Sequence, residues 1–166
     1  MYLGQLLQSA RKEYKKKYIR GISFDSRKVK RGDIFFAIEG SKTSGINFIN
    51  EAIANGASII VSSDREKKRN YKIPVILVKN ARKSLSEACS KFYRSKPKNI
   101  VAVTGTNGKS SVADFFYQIL KLNNAPVASI GTLGVFSKNY NKKTNLTSMN
   151  PLLLHKHLEA LSRKKI

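Results

Sequence analysis

Apolar and polar residues change places along the first half of the chain in blocks that predict strands and helices in turn. Short apolar runs at 22–24, 34–38, 57–61 and 75–78 are typical of buried strands. Apolar residues at helical spacing predict a short helix from Leu3 to Ala10, a second over 46–55 that closes at Gly56, and a third over about 81–93. This alternation indicates an α/β fold.

A polar segment then separates two parts of the chain. Residues 95–98 read Ser-Lys-Pro-Lys, and the residue before a proline is biased out of helical conformation. We predict a boundary there, with one domain over 1–96 and the start of another over 97–166. In the second, a β-branched run at 100–103 predicts a strand, 104–108 a glycine loop and 109–122 an amphipathic helix.

Composition narrows the class of protein only slightly. The chain has 166 residues, 41% of them hydrophobic, in runs far shorter than the roughly 20 residues of a membrane-spanning helix. The start of the sequence lacks the pattern of a secretory signal. The single cysteine, Cys89, lies among apolar residues at helical spacing, which favours core packing in a reducing compartment. We therefore expect a cytoplasmic protein without a membrane partner.

The formal net charge of +22 is compatible with several partners and selects none. A basic surface attracts nucleic acids, anionic lipids and phosphorylated metabolites. The cations here are mostly lysines in short scattered runs, without the arginine forks or interleaved aromatic residues of many nucleic-acid readers. A solvated lysine-rich surface is the favoured interpretation, a polyanion site is the alternative, and nucleic acid is an improbable partner.

Residues 103–110, Val-Thr-Gly-Thr-Asn-Gly-Lys-Ser, carry the clearest chemistry. Glycines between a strand and a helix let backbone N–H groups and the helix N-terminus approach phosphate oxygens. In such a loop Lys109 reaches the β and γ oxygens as the catalytic cation, and the Ser110 hydroxyl ligates Mg²⁺. The strict pattern places a glycine where this chain has Val103, so the match is partial; the alternative is a chance Gly-Lys-Ser in a surface turn.

At this point the sequence resembles a known family. Residues 104–110 resemble the phosphate loop of the Mur ligases and of their folate-ligase relatives. Residues 24–29 and 32–40, Phe-Asp-Ser-Arg-Lys-Val and Gly-Asp-Ile-Phe-Phe-Ala-Ile-Glu-Gly, resemble the N-terminal nucleotide-sugar domain of the MurE and MurF types, and 130–134 with 147–152 resemble the MurE pattern. The resemblance implies a small N-terminal α/β substrate domain followed by the first part of a P-loop central domain, with a mostly parallel sheet flanked by helices.

The resemblance also implies a reaction. Mur ligases spend ATP, with Mg²⁺, to join an amino acid to a UDP-N-acetylmuramoyl peptide through an acyl phosphate. The MurE type adds the third stem residue to UDP-N-acetylmuramoyl-L-Ala-D-Glu in peptidoglycan precursor synthesis, and so serves cell wall biogenesis, cell shape and division. The substrates are thus the UDP-N-acetylmuramoyl dipeptide and an amino acid, whose identity this sequence does not specify.

The family's binding residues map onto positions of this chain. ATP is expected at Gly105, Thr106, Asn107, Gly108, Lys109, Ser110 and Ser111. The nucleotide sugar is expected at Phe24 and Ser26 for the uridine part, at Ser41, Lys42 and Thr43 beside them, and at Thr147 and Ser148. Each set has a structural alternative: a turn-forming side chain at 25–27, a polar loop at 41–45, and helix capping before Pro151.

In the family, the central domain continues beyond the equivalent of Ile166 and a third domain follows. Because catalysis needs every reacting group held in position at once, we expect little or no ligase activity from these 166 residues alone. The chain is then a piece of a longer protein, or a separate chain supplies the rest. The alternatives are a nucleotide-binding fragment without ligase activity and, less favoured, a basic nucleic-acid-binding module.

Overall fold

A computed structural model of the protein describes residues 1–40, 43–63, 71–143 and 149–166. They form two compact units, Met1–Phe92 and Tyr93–Ile166, which are described separately below.

The first unit contains the predicted helices and strands in the predicted order. The strands are β1 (Ile22–Ser23), β2 (Ile34–Ala37), β3 (Ile59–Ser62) and β4 (Val75–Leu77), and the helices are α1 (Leu3–Leu6), α2 (Ile49–Ala54) and α3 (Ala81–Phe92). Single 3₁₀ turns occur at Lys12–Tyr14, Ser26–Lys28 and Gly45–Phe48. The structure thus confirms the α/β pattern, with α1 and β1 shorter than predicted.

The four strands form one parallel sheet in the order β1-β2-β3-β4. Every residue of β2 and β3 is buried, as expected for strands covered on both faces, and this explains their continuous apolar sequences. Phe35 and Ile60 pack with Ile49 and Ala52 of α2. Because side chains alternate along a strand, Phe36 points to the opposite face, where α3 packs against β2 and α1.

The turns before β2 and after α2 meet through one backbone hydrogen bond, from the Gly32 N–H to the Gly56 oxygen at 2.9 Å. Gly56 ends α2 with φ +100°, as predicted, and a Cβ there would lie 2.8 Å from the Arg31 backbone. The carboxylate of buried Asp33 accepts the N–H of Lys30 at 2.9 Å, which closes the turn entering β2. The Gly32-Asp33 pair therefore shapes the turn before β2.

The second unit contains α4 (Lys109–Leu122), the antiparallel hairpin β5 (Ala128–Gly131) and β6 (Gly134–Ser137), and α5 (Pro151–Arg163). The Asn150 side chain caps α5 by accepting the N–H of Leu153 at 2.9 Å, and Pro151 takes the first helical position. Thr147 and Ser148, for which helix capping was the predicted alternative, lie outside the described residues.

One predicted strand is wrong. Residues 100–103 have no regular secondary structure, and Val101 is 67% exposed. A strand exists only with a hydrogen-bonded neighbour, and in the described part of this unit β5 and β6 pair with each other. The helix that follows the loop has the predicted bounds, but its apolar positions are exposed, as at Val112, Phe115, Phe116 and Ile119.

None of the helices described here combines the length and the apolar character needed to cross a bilayer.

Candidate functional site

The glycine loop reaches α4 through two backbone conformations that favour glycine. Gly105 has φ +152° and Gly108 has φ +74°, and Gly108 is the N-cap of α4. A Cβ at Gly108 would meet no atom within 4 Å, so glycine is needed there for its left-handed conformation and not for space. As a glycine, this N-cap residue has no side chain to cap the helix, so the first N–H groups of α4 are not occupied by their own N-cap.

The side chain of Lys109 folds back into this loop. Its Nζ donates to the carbonyl oxygens of Gly105 and Thr106, at 2.5 and 2.9 Å. The first intrahelical hydrogen bond of α4 runs from the Val112 N–H to the Gly108 oxygen, so the N–H groups of 109–111 lie in the turn before it. An ammonium and a row of helix N-terminal amides therefore converge at one exposed place, where they favour an anion.

All seven predicted ATP-binding residues lie in this loop and in the first turn of α4, and all are exposed: Gly105, Thr106, Asn107, Gly108, Lys109, Ser110 and Ser111. Ser110 follows Lys109 directly and offers a hard oxygen, the donor type that Mg²⁺ prefers. The described residues hold no cluster of three acidic, histidine or cysteine side chains. Ser110 therefore fits Mg²⁺ as one ligand beside phosphate oxygens, and not as part of a protein cage.

The predicted uridine residues follow β1. Because β1 and β2 are parallel neighbours, their carboxyl ends lie at the same edge of the sheet, where open α/β sheets bind ligands. Phe24 and Ser26 follow the end of β1, and Thr43 follows the end of β2. Phe24 is half-buried, Ser26 is 5% exposed, and Thr43 is exposed. The structure thus brings two of the predicted substrate segments to one edge.

Asp25 organises the turn between these residues. Its carboxylate accepts the backbone N–H of Arg27 at 3.2 Å and both Nε and Nη2 of the same guanidinium at 3.0 Å. The hydrogen bonds from Arg27 lower the pKa of Asp25 against the opposing effect of burial, and Lys28 adds its charge at 3.7 Å. The predicted alternative, a turn-forming side chain at 25–27, describes Asp25 correctly.

Ser26 has partners that the sequence does not reveal. Its hydroxyl donates to Oε2 of Glu51 at 2.6 Å, and the Asn55 side-chain amide donates to the Ser26 carbonyl oxygen at 2.9 Å. Glu51 lies 25 residues away on α2, and Asn55 directly follows that helix. No local pattern in the sequence pairs these residues, since the contact arises only when α2 packs beside the 3₁₀ turn.

Thr43 lies close to Gly40. Its carbonyl oxygen accepts the N–H of Gly40 at 3.0 Å, and Glu39 and Ser44 form an antiparallel bridge. A Cβ at Gly40 would lie 2.8 Å from that oxygen, so the close approach requires glycine. The other predicted substrate residues, Ser41, Lys42, Thr147 and Ser148, lie outside the described residues.

Each of the two units matches a known protein family model. Residues 18–93 match the model of the Mur ligase family catalytic domain, and residues 103–166 match that of the Mur ligase middle domain. The chain belongs to the Mur ligase family. The two matched regions cover most of the chain and contain every segment that resembles the family: 24–29, 32–40, 104–110, 130–134 and 147–152.

Two relatives are named UDP-N-acetylmuramoyl-L-alanyl-D-glutamate--2,6-diaminopimelate ligase. The protein from Bradyrhizobium diazoefficiens is 40% identical over 89% of this chain, and that from Rickettsia prowazekii is 40% identical over 92%. This Mur ligase chain spans only 30% and 32% of their lengths.

Solved structures agree on the fold. A structure of a ligase with the same name superposes with a TM-score of 0.79 and 24% identity. The superposed region is 99% of this chain and 34% of the ligase chain. The MurF ligase of Thermotoga maritima in complex with ADP has a TM-score of 0.50 and 30% identity, over 62% of this chain and 23% of its own.

Proposed function

We propose that this chain is the portion of a MurE-type ligase that binds the nucleotide sugar and the phosphates of ATP. The reaction is the ATP-dependent addition of diaminopimelate to UDP-N-acetylmuramoyl-L-Ala-D-Glu in the cytoplasm. The relatives' names supply the substrates. The observation that supports the nucleotide role is the Lys109 ammonium held within an open glycine loop at the N-terminus of a 14-residue helix.

In this proposal the substrate carboxylate attacks the γ-phosphorus of ATP, ADP leaves, and the incoming amine then displaces phosphate from the acyl phosphate. Lys109 moves its hydrogen bonds from Gly105 and Thr106 to phosphate oxygens and stabilises the charge that develops on them. The amides of 106–111 hold the phosphate chain in line. Mg²⁺, ligated in part by Ser110, neutralises further phosphate charge when bound.

The sheet edge of the first unit takes the nucleotide sugar. Phe24 and Ser26 contact the uridine, and Ser41, Lys42 and Thr43 line the same site. Thr147 and Ser148 are further residues that bind the sugar nucleotide. The exposure of Thr43 and the partial exposure of Phe24 leave both residues accessible at that edge.

Turnover requires polypeptide equivalent to the remaining two thirds of the relatives, supplied by a longer chain or by a separate one. The exposed apolar face of α4, defined here by Val112, Phe115, Phe116 and Ile119, supports this part of the proposal. An apolar patch of this kind is typical of a surface that packs against further protein.

Titration calorimetry of the 166-residue chain with MgATP tests the nucleotide role. We expect binding to the wild type and a loss of about tenfold or more in Lys109→Ala, because the ion pair and hydrogen bonds to phosphate disappear. Lys98→Ala, which removes another exposed cation of the same unit, serves as the matched control and should bind as the wild type does. Equal affinity of the wild type and Lys109→Ala, or equal losses in both variants, would contradict the proposal.

A further inference from the structure

We propose that Glu51 is a positioning residue that makes Ser26 a hydrogen-bond acceptor and thereby selects uracil over cytosine. The inference rests on the proposed function, in which Ser26 contacts the uridine part of the substrate. It adds a residue that is not among the predicted site residues and gives the nucleotide site a reason for its base preference.

The direction of the hydrogen bond between the two side chains is fixed by chemistry. A serine hydroxyl has one proton to donate and two lone pairs that accept, whereas an ionised carboxylate only accepts. The Ser26 Oγ to Glu51 Oε2 distance of 2.6 Å is that of a short, charge-assisted O–H to carboxylate bond. The proton of Ser26 is therefore committed to Glu51, and Ser26 offers only lone pairs to any other partner.

A second hydrogen bond, from Asn55, fixes the position of Ser26. The side-chain amide of Asn55 donates to the Ser26 carbonyl oxygen at 2.9 Å. Glu51 of α2 thus binds the side chain of Ser26, and Asn55, directly after α2, binds its backbone. Glu51 and Asn55 are four residues apart and so lie on the same side of the helix. The guanidinium of the neighbouring Arg27 is hydrogen-bonded to Asp25 through two contacts of 3.0 Å, and the charge of Glu51 acts on it as a smaller effect.

An acceptor at this place distinguishes the two pyrimidines. Uracil carries a hydrogen on ring atom N3, which donates to a lone pair. Cytosine carries a lone pair on N3, which faces the lone pairs of Ser26 without a proton between them. A site built to pair with a donor discriminates strongly against an analogue that lacks it, because buried polar groups are then left unpaired. Ser26 is 5% exposed, so water compensates poorly there.

Calorimetric titration of the 166-residue chain with UDP, CDP and N3-methyl-UDP tests the inference. We expect the wild type to bind UDP about tenfold or more tightly than either analogue. Glu51→Ala frees the Ser26 proton, so the ratio between UDP and CDP should fall towards one. Glu51→Gln keeps a side-chain oxygen that accepts the Ser26 proton and should keep most of the preference.

Two further variants separate positioning from a merely structural role. Ser26→Ala removes the acceptor itself and should lose the preference even where Glu51→Ala proves too unstable to study. Glu87→Ala removes an exposed carboxylate from α3 and should leave the ratio unchanged. Thermal unfolding of each variant reports stability independently of the ratio.

The outcomes are distinguishable. UDP binding with an unchanged ratio in Glu51→Ala and Ser26→Ala, or equal binding of UDP and N3-methyl-UDP to the wild type, would overturn the inference and leave the proposed function standing. A wild-type chain that is folded and binds no UDP would overturn the role proposed for the first unit, and the inference with it.

Discussion

The hydroxyl of Tyr140 lies 2.8 Å from the Nδ1 atom of His157, and the two rings meet edge to face with centroids 5.7 Å apart. Tyr140 follows β6 and His157 lies on α5, so the contact joins the hairpin to the last helix across 17 residues of chain. His157 is 6% exposed. A neutral imidazole with its proton on Nε2 accepts the tyrosine hydroxyl through Nδ1 without bringing a charge into this interior.

Acidification should destabilise the second unit through His157. Burial, and then the charge of Lys142, lower its pKa below the ordinary value of 6.5. The histidine of the unfolded chain therefore binds a proton near pH 6.5, whereas the histidine of the folded chain stays neutral there. As a result, the free energy of unfolding falls as the pH falls below 6.5. His155 contributes in the same direction, through burial and then Lys96. Urea unfolding of the wild type at pH 7.5 and 5.5 should show a lower midpoint at the acidic value.

His157→Phe is the variant that assigns this effect. It keeps an aromatic ring in the buried position and removes the titrating group, so the difference between the two midpoints should shrink. Histidine at 155 remains in this variant, and a smaller dependence on pH should persist. An unchanged dependence in His157→Phe would show that another group is responsible.

A second loss of stability is expected at lower pH, in the first unit. Arg27 lowers the pKa of Asp25 below 3.8, so the stabilisation is complete above that value and disappears as the pH falls through the lower, folded-state pKa. The Arg27 side chain is 77% exposed, so solvent screens the pair and its contribution to stability should be small. Asp25→Asn should be less stable than the wild type at pH 6, with the difference narrowing towards pH 2.

Asp114→Asn is the control for this measurement, because it removes an exposed carboxylate from α4 with the same change in net charge. A general effect of charge would destabilise or stabilise both variants alike. If Asp25→Asn keeps the same deficit at pH 6 and pH 2, the ion pair with Arg27 is not its cause.

The first unit was predictable from sequence because its signals are local or nearly so. Continuous apolar runs mark β2 and β3 as strands buried on both faces, and Gly56 marks the end of α2. The run at 100–103 carries the same β-branched signal but forms no strand, since a strand depends on a neighbour that its own sequence does not contain. Periodicity likewise located α4, yet did not foretell that its apolar face is exposed.

The candidate site also has a part that is predictable from local sequence and a part that is not. The phosphate loop is one continuous segment, so the sequence predicted a glycine loop directly before the helix that begins at Lys109. It did not predict the hydrogen bonds from Lys109 to the carbonyl oxygens of Gly105 and Thr106. The environment of Ser26 depends on packing between segments 25 residues apart, and Glu51 has no sequence signal that points to it. Local chemistry is readable from the chain, whereas the partners of a buried hydroxyl appear only in the folded structure.

Gly108→Ala isolates the conformational requirement of the phosphate loop. Gly108 has φ +74° and open space around its Cβ position, so alanine is disfavoured by the left-handed backbone alone, by about 1–2 kcal/mol. We expect either a lower free energy of unfolding by that amount or a relaxed loop with weaker MgATP binding. Chemical denaturation and calorimetry measure the two effects.

Gly131→Ala is the matched control, because Gly131 also has open space but no positive φ. Alanine there should be neutral or slightly stabilising, since it reduces the freedom of the unfolded chain. Equal behaviour of the two variants in both measurements would contradict a special backbone requirement at Gly108.

The apolar face of α4 yields the last prediction. Phe115 is 66% exposed, so Phe115→Gln should change the free energy of unfolding by no more than about 0.5 kcal/mol, whereas Leu161→Ala, at a position 1% exposed, should cost about 2–5 kcal/mol. The same Phe115→Gln change should reduce self-association in light scattering, because it interrupts an apolar patch. A separate polypeptide that corresponds to the rest of a relative is expected to cover this face. Phe115→Gln should then weaken the binding of that polypeptide while leaving the 166-residue chain folded. A loss of more than about 1 kcal/mol in the isolated chain would show instead that Phe115 already belongs to its core.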